Sequence, residues 1–168
     1  MTKYIMDIEA NHLLEDVTKV WCVVLRNGDT DEVTTFDPDE IEASLEFMDK
    51  AEYLVGHNII DYDLRVLKKL YGWDYKGKVI DTLVCTRTIW PQIGELDSKS
   101  KNLPQKLRGS HSLKAWGYRL GELKGEFNNS SESFETYTPE MLDYCIQDTA
   151  VTLKLYGSIH KKNFSNDA

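Results

Sequence analysis

Apolar residues first come in short runs bounded by turn residues, then shift to helical spacing, and that change of period divides the chain into elements. Residues 3–8 read as a strand, and residues 19–26, with Val20, Trp21, Val23, Val24 and Leu25, as a second and mostly buried one. Asn27-Gly28-Asp29 is a hairpin-type turn signal before a third run at 32–36, so these strands are expected to form an antiparallel meander. Asp37-Pro38-Asp39-Glu40 predicts a helix start, with Asp37 as cap, Pro38 at the first helical position and Glu40 completing a capping box; Ile41, Leu45 and Met48 then face inward as far as about Lys50. A short strand at 53–56 empties into His57-Asn58, and 62–71 predicts a helix with Leu64, Leu67 and Leu70 on its apolar side. Residues 79–89 carry another buried element through Ile80, Leu83 and Val84, whereas 91–109 has no period and reads as a long loop. A helix from near Ser110 buries Leu113, Trp116 and Leu120, a polar loop occupies 126–137, and Thr138-Pro139 opens a last helix that ends near Lys162. Early strands, one further strand and later helices, with no linker or repeat, predict a single α/β domain with a mixed sheet.

Composition adds little to that picture until charge is mapped onto it. With 168 residues, 41% of them hydrophobic and 29% charged, the chain can bury a sizeable core. Acids at positions 7 and 9 occupy the place where an export signal needs an apolar run, and no apolar run approaches membrane-spanning length. A soluble, cytoplasmic protein without a membrane partner is expected. Cys22, Cys85 and Cys145 are odd in number and set among apolar neighbours, which predicts buried free thiols rather than a disulfide or zinc site. A net charge of −8 argues against a protein that coats nucleic acid through a broad basic face. The charge is uneven, however: residues 29–52 hold ten acids against Lys50, and residues 98–125 hold seven bases (Lys99, Lys101, Lys106, Arg108, Lys114, Arg119 and Lys124) against Glu122. That basic stretch suits either a local phosphate-contacting edge or a solvated loop.

The candidate chemistry lies in acids that interrupt apolar elements. Asp7 and Glu9 stand at i and i+2 of the first strand and so share one face, where they repel each other unless a cation lies between them. Asp61 and Asp63 follow the strand end at His57-Asn58, and each could equally be an ordinary first-turn acid. Asp148 sits on the last helix among Ile146, Val151 and Leu155, one turn after Tyr144 and on the same face. Four carboxylates drawn from these three places could hold two hard divalent ions, Mg²⁺ or Mn²⁺, about 3.5–4 Å apart for phosphodiester hydrolysis. His12, His57, His111 and His160 show no ligand spacing.

In their order and their spread over nearly the whole chain, these motifs resemble the DnaQ-like, DEDD superfamily of 3′→5′ exonucleases. Asp7-Ile8-Glu9 resembles its first motif, Asn58-x-x-x-Tyr62-Asp63 its second and Tyr144-x-x-x-Asp148 its third. The resemblance selects Asp63 over Asp61 and places the chain in the tyrosine subtype through Tyr144. Further stretches, Asp7-Ile8-Glu9-Ala10-Asn11, Ile80-Asp81-Thr82-Leu83-Val84, Gly109-Ser110-His111 and 113–122, are similar to the N-terminal proofreading domain of T-seven-like podophage family A DNA polymerases. The resemblance implies an RNase H-like fold and two-metal removal of nucleoside 5′-monophosphates from DNA 3′ ends. Asp7, Glu9, Asp63 and Asp148 would be the metal ligands, Tyr144 a catalytic partner, and Leu13 and Asn58 substrate contacts; Lys106 and Arg108 are further candidate strand contacts. Asp81 receives no chemistry. The implied partners are a single-stranded or frayed DNA 3′ end and a polymerase or other replication protein, in the host cytoplasm if the chain is phage-encoded. The chain stops at Ala168, with no polymerase domains following, and reads as an excised domain or a free-standing exonuclease. Two alternatives stay open: an exoribonuclease of the same superfamily, and a non-catalytic module that binds nucleic acid or a polymerase partner.

Overall fold

The structure, a computed structural model, describes residues 2–122 and 134–162, so Lys124 and the expected polar loop up to residue 133 lie outside it. Five strands, β1 (Lys3–Ala10), β2 (Val20–Asn27), β3 (Val33–Phe36), β4 (Tyr53–Gly56) and β5 (Lys78–Asp81), form one mixed sheet in the order β3-β2-β1-β4-β5. β1 runs antiparallel to β2 and parallel to β4, so the expected meander continues into a parallel half. This is the RNase H-like α/β arrangement that the family resemblance implies.

Strand alternation sorts the central residues onto two faces. Met6, Ile8 and Ala10 of β1 join Val23 and Leu25 of β2 in the larger core, closed by Ile41, Leu45 and Met48 of helix α1 (Ile41–Asp49) and by Val66 and Leu67 of α2 (Leu64–Tyr71). On the opposite face Ile5 packs with Val55 and Tyr156, and Cys22 and Val24 pack with Cys145, the last of these and Tyr156 lying on α6 (Pro139–Lys161). Asp7 and Glu9, in phase with Ile5, share that second face, where α6 crosses β1 and β2. Thr138 caps α6 by accepting a hydrogen bond from the Met141 N–H, with Pro139 next to it in the first turn.

Several boundaries differ from expectation for identifiable reasons. α1 starts at Ile41 because 37–40 forms a turn of its own: Asp37 accepts from the Asp39 N–H and Glu40 from the Asp37 N–H, which is half of the expected box without helix at Pro38. The helix expected at 62–71 begins earlier, as one turn of π-helix at Ile59–Asp63, and passes into α2, which Gly72 ends at φ 64°. The single buried element expected at 79–89 splits at Asp81 into β5 and α3 (Thr82–Ile89), leaving Val84 exposed. The loop expected at 91–109 contains α4 (Ile93–Asp97) and a 3₁₀ turn at Gln105–Leu107, with Ile93, Asp97 and Leu103 buried. Asp97 receives Arg119 of α5 (Leu113–Leu120) in a buried two-pronged ion pair, with Nε to Oδ1 at 2.9 Å and Nη2 to Oδ2 at 2.7 Å. Arg119 therefore leaves the basic strip that sequence alone assigns it to. The cysteines are free as expected, although Cys85 is only half-buried.

Candidate active site

Each acid motif is delivered by a different kind of element. Asp7 and Glu9 come from the second half of the central strand β1, past the end of its pairing with β4 at Ile5 but still paired with β2, and that pairing shifts register between Glu9 and Ala10. A local bulge of that kind bends a strand and re-aims the side chains beside it. Asp63 ends the π-turn and is only 4% exposed. Tyr144, Cys145 and Asp148 come from successive turns of α6 above the same sheet face.

The structure brings Asp7, Glu9, Asp63 and Asp148 into one electrostatic cluster. Burial, followed by the charges of Asp148, Asp63 and Glu9, holds the Asp7 carboxyl well above the usual carboxylate range. Burial and Asp148 push Glu9 up to about 8, and burial pushes Asp148 up to about 7 despite a hydrogen bond with Asp7. Asp63 is likewise held high by burial, with Glu9 adding to the effect. None of these four acids is ion-paired to a cation among the described residues. An oxygen-rich, unneutralised and largely buried set of this kind fits hard divalent ions. Sequence reasoning missed Cys145 as part of the site: its thiol lies 3.4 Å from Asp7 Oδ2, and Asp7, Glu9 and Cys145 place one ligand atom each within 4.8 Å of one another. Only its position next to Tyr144 could have signalled this.

Two phenols border the acids. Burial and then the charge of Asp148 push Tyr144 up to about 12, and burial with Asp63 does the same to Tyr62. Both remain protonated donors at neutral pH. The Tyr62 hydroxyl donates to the His12 carbonyl at 2.7 Å, and Asn11 accepts from the Thr18 and Lys19 N–H groups, so the segment after β1 is braced at both ends. That segment walls a cleft of about 420 Å³ beside Glu9, lined by Leu13, Tyr62 and Phe134 among others. Leu13 is 79% exposed and stands outside the core. Phe134, another lining residue that the sequence did not single out, has its carbonyl held by the Trp21 indole N–H at 2.9 Å.

Asn58 stands at the entrance to the π-turn in a left-handed conformation, φ 60°, which asparagine tolerates better than most residues. Asp61 is exposed and Asp63 buried, and it is Asp63 that the structure brings into the acid cluster. Lys106 and Arg108 are exposed at the 3₁₀ turn and do not line the cleft. No described helix is long and apolar enough to cross a membrane.

No protein-family model matches the chain. It is 36% identical, over 90% of its length, to the DNA-directed DNA polymerase of Escherichia phage T7, and it spans 25% of that protein. Among solved structures, Brucella melitensis NrnC bound to pGG aligns with 95% of this chain and 72% of its own at a TM-score of 0.62 and 16% identity. The E. coli ExoI–single-stranded DNA complex aligns with 95% of this chain and 42% of its own at 0.55 and 14%. In sequence the chain is similar to about one quarter of the T7 DNA polymerase, and it shares its fold with NrnC and ExoI.

Proposed function

We propose that this chain is a metal-dependent 3′→5′ exonuclease acting on DNA 3′ ends and releasing nucleoside 5′-monophosphates. One observation carries the reading: four carboxylates from three separated motifs meet in one cluster, ion-paired to no cationic side chain among the described residues, beside an open cleft. Asp7, Glu9, Asp63 and Asp148 would hold two divalent cations, Mg²⁺ or Mn²⁺. When bound, such a pair supplies Lewis-acid stabilisation of attacking and leaving oxygens in phosphodiester hydrolysis.

The remaining roles belong to the chain itself. Burial of the acids excludes bulk water, which strengthens every charge interaction in the site. The Tyr144 phenol, protonated at neutral pH, orients the nucleophilic water by a hydrogen bond rather than removing its proton. Leu13 and Tyr62 offer an apolar wall and a ring against which a terminal base can stack, while the exposed position of the cleft lets a strand end enter. The acidic body is compatible with such a site, since an end-trimming enzyme grips only a few nucleotides. A polymerase or other replication protein is the proposed partner, on the strength of the T7 relative.

A second reading, hydrolysis of RNA or very short oligonucleotides, is favoured by the likeness to NrnC, which has been captured with pGG. The two separate at contacts to the 2′-hydroxyl. The test is an incubation of end-labelled single-stranded DNA, mismatched and paired duplex DNA, and RNA with Mg²⁺, Mn²⁺ or EDTA. Cation-dependent release of mononucleotides from DNA 3′ ends is expected, fastest from single-stranded and mismatched ends. Faster loss of RNA would transfer the assignment to the second reading, and no hydrolysis of any substrate would favour a binding module.

A further inference from the structure

Asp81 lies at the end of β5 and is 5% exposed, yet it belongs to none of the three acid motifs. All of its contacts with the backbone are accepting ones. Oδ1 takes the N–H groups of Leu83 at 2.9 Å, Val84 at 3.4 Å and Asn58 at 3.0 Å, and Oδ2 takes the N–H of Ile60 at 3.1 Å. The bonds to Leu83 and Val84 are a normal helix cap for α3, which Asn, Ser or Thr would make as well. Those to Asn58 and Ile60 are different, because they reach back across the sheet to the turn that presents Asp63.

That turn needs outside support. Its first N–H groups have no carbonyl partner within the turn, Asn58 is left-handed, and a π-turn is rarely stable without its surroundings. It is also seated without slack: a Cβ on Gly56 would come within 2.9 Å of the Ile59 Cβ. The preceding His57 is held by the Thr82 hydroxyl and the His111 carbonyl, both at 2.8 Å, so a second tie runs to the residue next to Asp81.

We propose that Asp81 is a positioning residue for the second acid motif, its two carboxylate oxygens holding the backbone of residues 58–60 so that the turn delivers Asp63 to the cluster. The inference rests on the metal-site reading above for its consequence, but not for the brace itself. The two oxygens separate the roles. Asp81→Asn can keep its carbonyl oxygen on Leu83, Val84 and Asn58 while turning an NH₂ toward the Ile60 N–H, so the cap survives and the brace breaks. Asp81→Ser, a single-oxygen cap, is the second variant.

The experiment measures amide hydrogen exchange in the metal-free chain and Mn²⁺ affinity in parallel. In Asp81→Asn, exchange at residues 58–63 should rise about tenfold or more while that at 82–89 stays near wild type. The Mn²⁺ dissociation constant should rise about 10- to 100-fold, the range for residues that support ligands from behind, and added Mn²⁺ should restore most of the cleavage rate. Unchanged exchange at 58–63 in both variants overturns the proposal, as does faster exchange with wild-type Mn²⁺ affinity. Were Asp81→Asn not to fold, Asp81→Ser decides by the same two measurements. A wild-type chain that binds no Mn²⁺ would sink the metal-site reading instead, and the exchange result would still decide whether Asp81 holds the turn.

Discussion

At the residue scale, burial of the acid cluster, reinforced by repulsion within it, dictates how the metal-free protein responds to pH. Glu9 is held at about 8 and Asp148 at about 7, with Asp7 and Asp63 also well above the usual carboxylate range. In the unfolded chain such acids titrate near ~4. Between these limits the native state binds more protons than the unfolded one, so stability falls as pH rises. The stabilising contribution is whole below about 4 and is lost through about 7 to 8. Thermal melts in EDTA should therefore fall from about pH 5.5 to about pH 8.5 and Mn²⁺ should reverse the fall at the alkaline end; Asp7→Ala should keep much of the fall, which Glu9 and Asp148 set through their own burial, but lose the reversal by Mn²⁺. A flat wild-type profile would count against a coupled buried cluster. Tyr144 gives a second test of the same site. As a phenol raised to about 12 it cannot serve as a base at neutral pH, and orientation through one hydrogen bond is worth about 10- to 100-fold in rate. Tyr144→Phe is expected to bind metal and retain a measurable single-turnover rate, whereas Asp148→Ala should lose both. Equal rates in wild type and Tyr144→Phe, or no rate in either variant, would refute the orienting role.

At the scale of elements, what was legible in the sequence was what local chemistry encodes. The i, i+2 spacing of Asp7 and Glu9 put them on one strand face, and the Tyr144–Asp148 spacing put both on one side of α6, as the structure has them. The turn Asn27-Gly28-Asp29 and the Thr138-Pro139 start were legible for the same reason. Features made by distant partners were not. Asp81 read only as part of a buried element with no chemistry of its own, because its partners Asn58 and Ile60 lie far back in the chain, although an acid followed by Leu83 and Val84 carried a helix-start signal. The loop expected at 91–109 is organised by Asp97, which takes Arg119 from α5 and the Gly109 N–H at 2.8 Å. Arg119 also donates to the Ser110 carbonyl and stacks 4.6 Å from the Trp116 ring, so the guanidinium ties α4 to α5 and both to the entrance of α5. Removing the carboxylate charge would leave that guanidinium buried without a counter-ion, at a cost of about 3–5 kcal/mol. Asp97→Asn should lower the melting temperature by roughly 6–20 °C for a chain of this size. Loss of under ~2 °C would mean that the pair is not what holds these helices together.

At the scale of the whole molecule, the proposed substrate is a polyanion and the protein carries a net charge of −8, so the position of its exposed bases would decide how a strand is held. The structure thins the basic strip at 98–125 by placing Arg119 in the interior on Asp97, while Lys99, Lys101, Lys106, Arg108 and Lys114 stay exposed. Their charges add little to stability, since exposed charges are screened within about 8–10 Å at ordinary ionic strength. Their effect on a strand is measurable through counterion release: for single-stranded nucleic acid, log affinity falls with log salt by about 0.7 for each phosphate neutralised. If Lys106 and Arg108 each meet one phosphate, Lys106→Ala with Arg108→Ala should reduce that slope by about 1.4 and weaken binding most at low salt. The acid cluster, being on the sheet face under α6, should keep its Mn²⁺ affinity in the double variant. Fluorescence titrations of a labelled oligonucleotide across a range of salt concentrations, with Ca²⁺ in place of Mg²⁺ to slow cleavage, measure both slopes directly. An unchanged slope would assign the two bases to a solvated surface and leave the terminal nucleotide to be held by the cleft at Leu13 and Tyr62 alone.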